Sequence, residues 1–311
     1  MSRMKYLNRH TAALAAVLVL AAAGTAHAVM SVTVGGMEVQ FREDLAWCVS
    51  DVFRNDDLIT GSPTVNAAVA GCWSVQDAYV PLYGDMWIGG GHGCETVLEA
   101  GLTVDGLVQP LADGAGYSGS EAVIRRTTNV GDLYLLESTL TLTPDHMTES
   151  IRMTGMSSPV KIATFYAMLS SHPNRFDEFA AFDETGLAVD YTETRAGYMW
   201  HYFFEDEARC LALYDEGGEE GVRLSWSIPG DVEQEAFLVD RFYDNKLYLK
   251  FVGEGRPVEP GRSIDMEFRT AFFNAPPDDW QDAAWQSIPE PATLGLLALA
   301  GAGLVSRRRR R

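Results

Sequence analysis

The fold class is indicated by one stretch, residues 121–153, which reads EAVIRRTTNVGDLYLLESTLTLTPDHMTESIRM. It contains three strand-like runs, at 121–128, 133–143 and 147–153, separated by the turn-forming sequences Asn-Val-Gly-Asp and Pro-Asp. Alternation along the second run places on one face Tyr134, Leu136, Leu140 and Leu142. The pattern predicts a meander of three antiparallel strands with one buried face.

The same pattern continues toward the C-terminus. Further strand-like runs lie at 160–169, 198–205, 210–214, 222–227, 236–239, 246–252 and 263–273. Turns rich in Gly and Pro separate them, and no run in this region has helical periodicity over more than two turns. The region before residue 120 is less regular, although 31–41 predicts an opening strand. Together these features predict an all-β fold, an antiparallel β-sandwich.

The first 28 residues have the three-part layout of a secretion signal. A basic start is followed by an apolar run, and Ala26-His27-Ala28 places small residues where signal peptidase binds. The apolar run has about 14 residues, fewer than the roughly 20 that span a membrane. We therefore expect export and cleavage by signal peptidase after Ala28.

The C-terminal end also has three parts. Pro289, Glu290 and Pro291 interrupt regular structure, residues 292–305 carry no charge, and residues 307–311 are five arginines. A cationic block beside an apolar helix remains on the cytoplasmic side of a membrane. This arrangement predicts a short transmembrane helix that anchors the chain transiently in the inner membrane, with the rest of the protein outside.

This C-terminal segment resembles the PEP-CTERM sorting domain. The resemblance rests on the sequence PEPAT at 289–293, the helix rich in Leu, Ala and Gly, and the arginine tail. In that family an exosortase recognises the segment in the inner membrane and cleaves near the Pro-Glu-Pro motif. Its carriers are Gram-negative bacteria that make extracellular polysaccharide. The resemblance implies processing by exosortase and a location in the cell envelope, at the outer surface or in the extracellular matrix.

Residues 29–288 predict one continuous domain. The segment has about 260 residues and no linker rich in Pro or Ser, and it is long enough to bury a sizeable core. The whole chain has a formal charge of −19, and the segment without its two basic ends carries about −26. So acidic a surface argues against nucleic acid and anionic membranes as partners. No spacing of acidic residues matches a known metal motif, so no metal or cofactor is predicted.

Four cysteines bear on the stability of an exported protein: Cys48, Cys72, Cys94 and Cys210. An even number in an oxidising compartment favours two disulfides, and three pairings are open. The spacings fit no zinc-ligand pattern.

The densest polar cluster, SSHPNRFDEF at 170–179, follows the apolar run at 160–169. Binding residues gather where strands end. His172 exchanges protons near neutral pH, and Arg175 suits carboxylates or sugar hydroxyls. Asp177 and Glu178 accept hydrogen bonds or act as bases. The alternative is a solvated turn with a local pair between arginine and carboxylate.

Aromatic residues offer a second set of candidates. Trp200 and His201 open the run WHYFF at 200–204. Exposed rings of this kind stack on sugars, whereas rings in strands pack by default in the core. The same two alternatives apply to four further tryptophans, Trp47, Trp73, Trp87 and Trp226.

Residues 120–274 resemble the supersandwich proteins related to galactose mutarotase, which bind or process carbohydrates. The resemblance rests on a histidine near an arginine after an apolar strand and on the closing hairpin at 246–273. The paired histidines and the general-base glutamate of that family cannot be placed in this sequence, so no catalytic residue is assigned.

Two functions follow as hypotheses. The first is a non-catalytic protein of the cell envelope or matrix that binds polysaccharide. The alternative is a carbohydrate-modifying enzyme, a lyase or epimerase of the supersandwich type, working through His172 and nearby carboxylates. The sequence contains no Gly-x-Ser-x-Gly elbow, His-Glu-x-x-His pair or kinase motif, which favours the first hypothesis.

Overall fold

The computed structural model describes the main part of the chain between residues 29 and 286. The described residues are 29–55, 57–60, 66–71, 95–132, 134–156, 160–161, 164–171, 176, 178–183, 187–192, 199–204, 208, 210–227, 234–240, 245–251 and 257–286. The ranges 57–60, 66–71, 160–161, 164–171, 187–192, 199–204, 234–240, 245–251 and 257–258 are described by their backbone alone.

Within these residues the chain forms strands and one short α-helix. In chain order they are β1 (Met30–Val34), β2 (Met37–Arg42), β3 (Cys48–Arg54), β4 (Asp57–Thr60), β5 (Asn66–Gly71), β6 (Glu95–Val104), β7 (Leu107–Gln109), β8 (Gly116–Gly119), β9 (Ala122–Val130), β10 (Tyr134–Leu142), β11 (His146–Gly155), β12 (Val160–Lys161), β13 (Thr164–Ser171), β14 (Glu178–Phe182), β15 (Leu187–Thr192), β16 (Met199–Phe204), β17 (Cys210–Asp215), β18 (Glu220–Ser227), β19 (Gln234–Asp240), β20 (Asn245–Phe251), β21 (Pro257–Val258), β22 (Ser263–Asn274) and α1 (Trp280–Gln286). A 3₁₀ turn at Glu43–Leu45 connects β2 to β3.

The described strands form four sheets. The ten-stranded sheet has the order β15-β14-β17-β18-β22-β11-β10-β9-β6-β7, and the N-terminal sheet has the order β4-β3-β2-β1-β8. A second five-stranded sheet has the order β16-β19-β20-β13-β5, and β12 pairs with β21. Among these pairings only β1 with β8 is parallel. The predicted all-β, antiparallel sandwich is confirmed.

The meander predicted from residues 121–153 is present as β9, β10 and β11. Val130 pairs with Tyr134 across the first turn, and the side-chain oxygen of Asn129 accepts a hydrogen bond of 2.9 Å from the backbone N–H of Asp132. Gly131 and Asp132 both have a left-handed φ of 59°, which Gly and Asp tolerate in tight hairpins.

One predicted strand differs from the structure. Residues 31–41 were expected to form a single opening strand, but they form the hairpin of β1 and β2, in which Val34 pairs with Met37. Gly35 allows this turn because its φ is +61° and because an added Cβ there would meet the ring of Pro144. Two adjacent glycines between apolar runs were therefore a turn signal.

The main core lies between the N-terminal sheet and one face of the ten-stranded sheet, called here the inner face. Both sheets contribute to one buried cluster, which includes Val32, Val39, Phe41, Val52, Ile124, Leu136, Ile151 and Phe268. These residues alternate along their strands with more exposed ones. The alternation drives the two sheets together because it concentrates apolar area on one side of each strand.

A buried charged network crosses this core. Arg126 on β9 is 6% exposed, and its Nη1 donates to the Ala46 carbonyl at 3.1 Å and to Cys48 Sγ at 2.7 Å. Its Nη2 lies 3.8 Å from Glu149 Oε1, which also accepts a hydrogen bond from Ser138. Burial opposes the guanidinium charge, but Cys48 and the nearby carboxylates raise the pKa of Arg126, so it stays charged.

The opposite face of the ten-stranded sheet, the outer face, carries α1 at one end. A second buried cluster joins this helix to the sheet through Ala180, Phe182, Cys210, Ala212, Tyr214, Phe273, Trp280 and Ala284. The Tyr214 ring stacks between Trp280, at a centroid distance of 5.0 Å, and Phe273, at 6.3 Å. The sheet is therefore covered on both faces at this end.

We predict that Arg126→Met destabilises the protein by about 3–5 kcal/mol, because it leaves Glu95 and Glu149 buried without their cation. The double variant Arg126→Met with Glu149→Gln should recover part of this loss, since it removes one of the two uncompensated charges. Urea denaturation followed by circular dichroism measures both values. Equal stability of the wild type and Arg126→Met would contradict the proposed role of the network.

We also predict that Gly221→Ala lowers the free energy of unfolding by about 1–3 kcal/mol. A Cβ at position 221 would meet the Phe273 ring, which lies across the strand and stacks on Tyr214. The matched control is Gly101→Ala on β6, where an added Cβ finds open space. The control should be neutral in the same urea titration, and equal effects of the two substitutions would refute the prediction.

Candidate functional site

The outer face presents two rows of polar side chains in the middle of the ten-stranded sheet. In the first row Glu137, Arg152 and Asp265 lie directly opposite one another on β10, β11 and β22. The second row, two residues along each strand, adds β18 and consists of Thr139, Ser150, Glu267 and Ser227. Neighbouring strands lie about 4.8 Å apart, so the second row extends roughly 14 Å across the sheet.

These two rows line an open groove of about 460 Å³. Its described lining is Glu137, Thr139, Ser150, Ile151, Arg152, Ser227, Asp265, Met266 and Glu267. The polar side chains come from strands of a packed sheet, so the backbone fixes their spacing. The groove is shallow and open to solvent, so it suits one face of an extended ligand.

An ion pair crosses the first row. Arg152 Nε donates to Asp265 Oδ1 at 2.7 Å, and the two side chains are 54% and 65% exposed. At this exposure water screens the attraction, so the pair contributes little to stability. Its main effect is to orient both side chains, which leaves the remaining guanidinium N–H groups and the second Asp265 oxygen available to a ligand.

The groove is acidic. Among its described lining residues are three carboxylates, those of Glu137, Asp265 and Glu267, and one cation, Arg152, which is paired with Asp265. A second exposed cation, Arg125, lies beside the groove, directly opposite Thr139. A ligand with a negative charge would therefore be repelled, whereas hydroxyl groups and amines would find acceptors.

Between the groove and α1 lies a third row, in which Arg269 faces Ser225 and Thr148. Arg223 follows one pair further along and is completely buried beneath α1. Burial lowers the pKa of Arg223 to about 10, and burial also lowers the pKa of Arg269. Arg223 remains charged at neutral pH, and both arginines lie on the α1 side of the groove.

The residues that the sequence singled out as ligand-binding are distributed over two sheets. Glu178 is the first residue of β14 in the ten-stranded sheet, where its backbone pairs with Thr192 and Tyr214. Trp200 and His201 belong to β16 in the second five-stranded sheet, and their side chains lie outside the described residues. His172, Arg175 and Asp177 lie outside the described residues altogether.

The backbone nevertheless relates two of these candidate regions. Ser171, the last residue of β13, pairs with Asn245, which pairs with Asp240, which in turn pairs with Met199. The chain therefore enters the 172–177 segment at the same end of the sheet at which β16 begins, three strand spacings or about 14 Å away.

Two of the four cysteines lie in described regions. Cys48 contacts Arg126 on the inner face of the ten-stranded sheet, whereas Cys210 belongs to the cluster beneath α1 on the outer face. Burial raises the pKa of each thiol to about 12, so neither is a thiolate at neutral pH. No disulfide is formed within the described part of the chain. Cys72 and Cys94 lie outside it, and the predicted pairing stays a prediction.

The four further tryptophans and the two predicted processing positions are only partly covered by the described residues. Trp47 and Trp226 are both 8% exposed and pack in the main core, whereas Trp73 and Trp87 lie outside the described residues. Ala28 and the motif at Pro289, Glu290 and Pro291 also lie outside them.

Two kinds of feature are absent from the ranges given above. No helix there is long and apolar enough to cross a membrane. No group of three or more histidine, cysteine or acidic side chains there is arranged to hold a metal ion.

Sequence reasoning missed the groove. Its residues are ordinary polar positions of strands, separated by up to 130 residues along the chain. The available signal was alternation: Glu137 and Thr139 lie on the polar face of a run whose apolar face was identified. What could not be derived was the order of the strands, which brings β22 next to β11 and β18.

Comparison with protein families matches residues 287–311 to the PEP-CTERM protein-sorting motif. This confirms the resemblance noted at the C-terminus and marks the protein as exported and processed by exosortase. Comparison with curated protein sequences gives no match.

Among solved structures, the chain is similar to several sugar-related proteins. A galactose mutarotase-like protein from Clostridium acetobutylicum is 11% identical, with a TM-score of 0.45, over 78% of this chain and 94% of that one. An aldose epimerase homologue from C. elegans is 10% identical, with a TM-score of 0.42, over 80% and 100%. An alpha-N-acetylgalactosaminidase from Bifidobacterium bifidum is 10% identical, with a TM-score of 0.48, over 79% and 36%. The predicted resemblance to the mutarotase supersandwich is confirmed as a likeness of fold, and it carries no information about activity.

Proposed function

We propose that this exported protein acts in the cell envelope or extracellular matrix by binding polysaccharide in the groove on the outer face of the ten-stranded sheet. Binding, in this proposal, does not involve catalysis and needs no metal or cofactor. Signal peptidase removes the first 28 residues, and the C-terminal segment anchors the chain transiently in the inner membrane until exosortase acts.

The observation that supports this proposal is the groove itself. Hydroxyl groups from Thr139, Ser150 and Ser227 share one row with the carboxylate of Glu267, and a second row carries two further carboxylates and Arg152, at positions set by the strand register. Sugar hydroxyls are donors and acceptors at once, so they can pair with both kinds of group. A polysaccharide presents such groups at regular spacing, as the two rows of the groove do.

The charge of the groove favours one class of polysaccharide. The three carboxylates outnumber the one arginine in the described lining, so they disfavour the uronates and sulfates of acidic polysaccharides, and Arg125 beside the groove offsets part of this repulsion. Neutral chains, and chains with free amino groups, gain charge-assisted hydrogen bonds to Glu137 and Glu267. The ligand we propose is therefore a neutral or amine-bearing polysaccharide.

We predict that Glu137→Gln with Glu267→Gln weakens binding of an amine-bearing polysaccharide roughly two- to thirtyfold, since both carboxylates are exposed and each ion pair at such a site contributes about 0.2–1 kcal/mol. A deacetylated amino-sugar polymer, a neutral glucan and a uronate polymer are compared by pull-down and calorimetry. The matched control is Glu43→Gln, which removes the same charge from an exposed residue in the turn between β2 and β3 of the N-terminal sheet, away from the groove.

The control should bind like the wild type, and the uronate polymer should bind least. Equal binding by the double variant and the control, or no binding to any of the three polymers, would contradict the proposal. Appearance of unsaturated sugars with new reducing ends in the same mixtures would instead support the alternative as a lyase, and a changed sugar configuration detected by NMR would support it as an epimerase.

A further inference from the structure

The third row of polar side chains crosses the outer face between the groove and α1. Arg269 on β22 lies at its centre, directly opposite Thr148 on β11 and Ser225 on β18. Thr141 on β10 lies opposite Thr148 and extends the row by one strand. All four residues are half-buried, so the packed sheet fixes their spacing while part of each residue still reaches solvent. The row therefore places one guanidinium between hydroxyl groups on either side.

Arg269 has no carboxylate partner among the described residues. Its side chain takes part in none of the ion pairs found there, and its Nε is buried without an acceptor. Burial lowers the pKa of Arg269, and Glu267, two residues earlier on the same face, opposes this effect without forming an ion pair. Arg152, by contrast, is paired with Asp265. In a chain with 43 acidic residues, an arginine that lacks such a partner has donors available to an acceptor from outside the chain.

Arg223 places a second positive charge beside this row. It lies one pair further along β18, so its Cα is roughly 8 Å from that of Arg269. Burial lowers the pKa of Arg223 to about 10, and the charge of Arg269 adds to this effect. Burial and then the same two arginines lower the pKa of His146 on β11, although Asp145 opposes them. The two arginines therefore create a positive potential at this end of the outer face, and an anion there is attracted to both.

We propose that Arg269, with the hydroxyl groups of Thr148 and Ser225, binds a single oxyanion group, a carboxylate or a phosphate. The planar guanidinium donates two parallel hydrogen bonds to such a group, and the hydroxyls on the neighbouring strands donate to its remaining oxygens. Ser225 Oγ makes only a long contact of 3.5 Å with the backbone carbonyl of Arg269, so this hydroxyl is free to turn toward a ligand. Arg223 adds attraction from the side of α1.

The site suits one isolated anionic group and not a polyanion. The carboxylates of Glu137, Asp265 and Glu267 occupy the two rows next to Arg269, and they repel a polymer that carries a charge on every sugar. Two sources supply a single oxyanion: a free inorganic ion such as phosphate, or one acidic substituent on an otherwise neutral polysaccharide. The second source rests on the proposed function, because the substituent reaches Arg269 only from a chain that lies in the groove.

The first experiment titrates the purified full chain with inorganic phosphate, followed by calorimetry at physiological salt. Arg269→Gln should weaken phosphate binding roughly three- to tenfold, and Thr148→Val, which removes a hydroxyl but no charge, roughly two- to fivefold. The matched control is Arg125→Gln, an exposed arginine of the same face on β9, three strand spacings or about 14 Å away. Salt screens charges beyond about 8 Å, so this control should bind like the wild type. Circular dichroism verifies the fold of each variant.

A second experiment distinguishes the two sources. It compares a neutral glucan that carries sparse phosphate monoesters with the same glucan after phosphatase treatment, for the wild type and Arg269→Gln. A preference of the wild type for the phosphorylated glucan, lost in Arg269→Gln, identifies a substituent of the polysaccharide, whereas phosphate binding without this preference identifies a free ion.

The oxyanion site and the proposed function fail in different ways. If neither glucan binds but phosphate does, the groove is contradicted and the oxyanion site stands. Equal effects of Arg269→Gln and Arg125→Gln on phosphate binding would overturn the oxyanion site. Absence of both phosphate binding and the glucan preference would overturn it as well, even if both glucans bind.

Discussion

Successive side chains of a strand point to opposite sides of the sheet. In the ten-stranded sheet this alternation separates an inner face that packs in the core from an outer face that carries the groove and α1. The inner face collects apolar residues such as Leu136 and Phe268 and packs on the N-terminal sheet. The outer face collects hydroxyls and carboxylates in its middle and aromatic residues at the end covered by α1. A slip of one residue in register would exchange the two sets. Core, groove and helix docking therefore depend on the same register.

Two buried arginines of the ten-stranded sheet attach segments that lie outside this sheet. Arg126 binds the carbonyl of Ala46, in a turn where Ala46 and Trp47 both have positive φ, 56° and 58°. Arg223 binds the carbonyl of Ala284 at the end of α1. In both cases the guanidinium lies on the sheet and donates to a backbone carbonyl of the attached segment. The long side chain thus connects layers that backbone hydrogen bonding cannot join.

The sequence carried enough information for the class of fold but not for its assembly. Alternation and turn residues identified the strands around residues 121–153 and from 210 onward, because these signals are local. The sequence did not predict the hairpin at Gly35, because the two adjacent glycines were not interpreted as a turn. It did not predict the helix that begins at Trp280 either, because two turns are too few to show helical periodicity. The groove could not be predicted, since Glu137 and Glu267 become neighbours only through the pairing of distant strands. The sorting motif was fully predictable because its three parts are contiguous in the chain.

Strand β22 lies between β18 and β11 and pairs with both, so it joins the meander of β9, β10 and β11 to the strands β14, β17 and β18. It is also the last strand of the described chain, and it ends twelve residues before Gln286. A chain that crosses a membrane from its N-terminus exposes these two halves first, each with an unpaired edge that invites aggregation. The sheet can close only when residues 263–274 emerge, shortly before the sorting segment reaches the membrane. For a chain exported N-terminus first, as the predicted secretion signal implies, the fold would be completed only near the end of translocation.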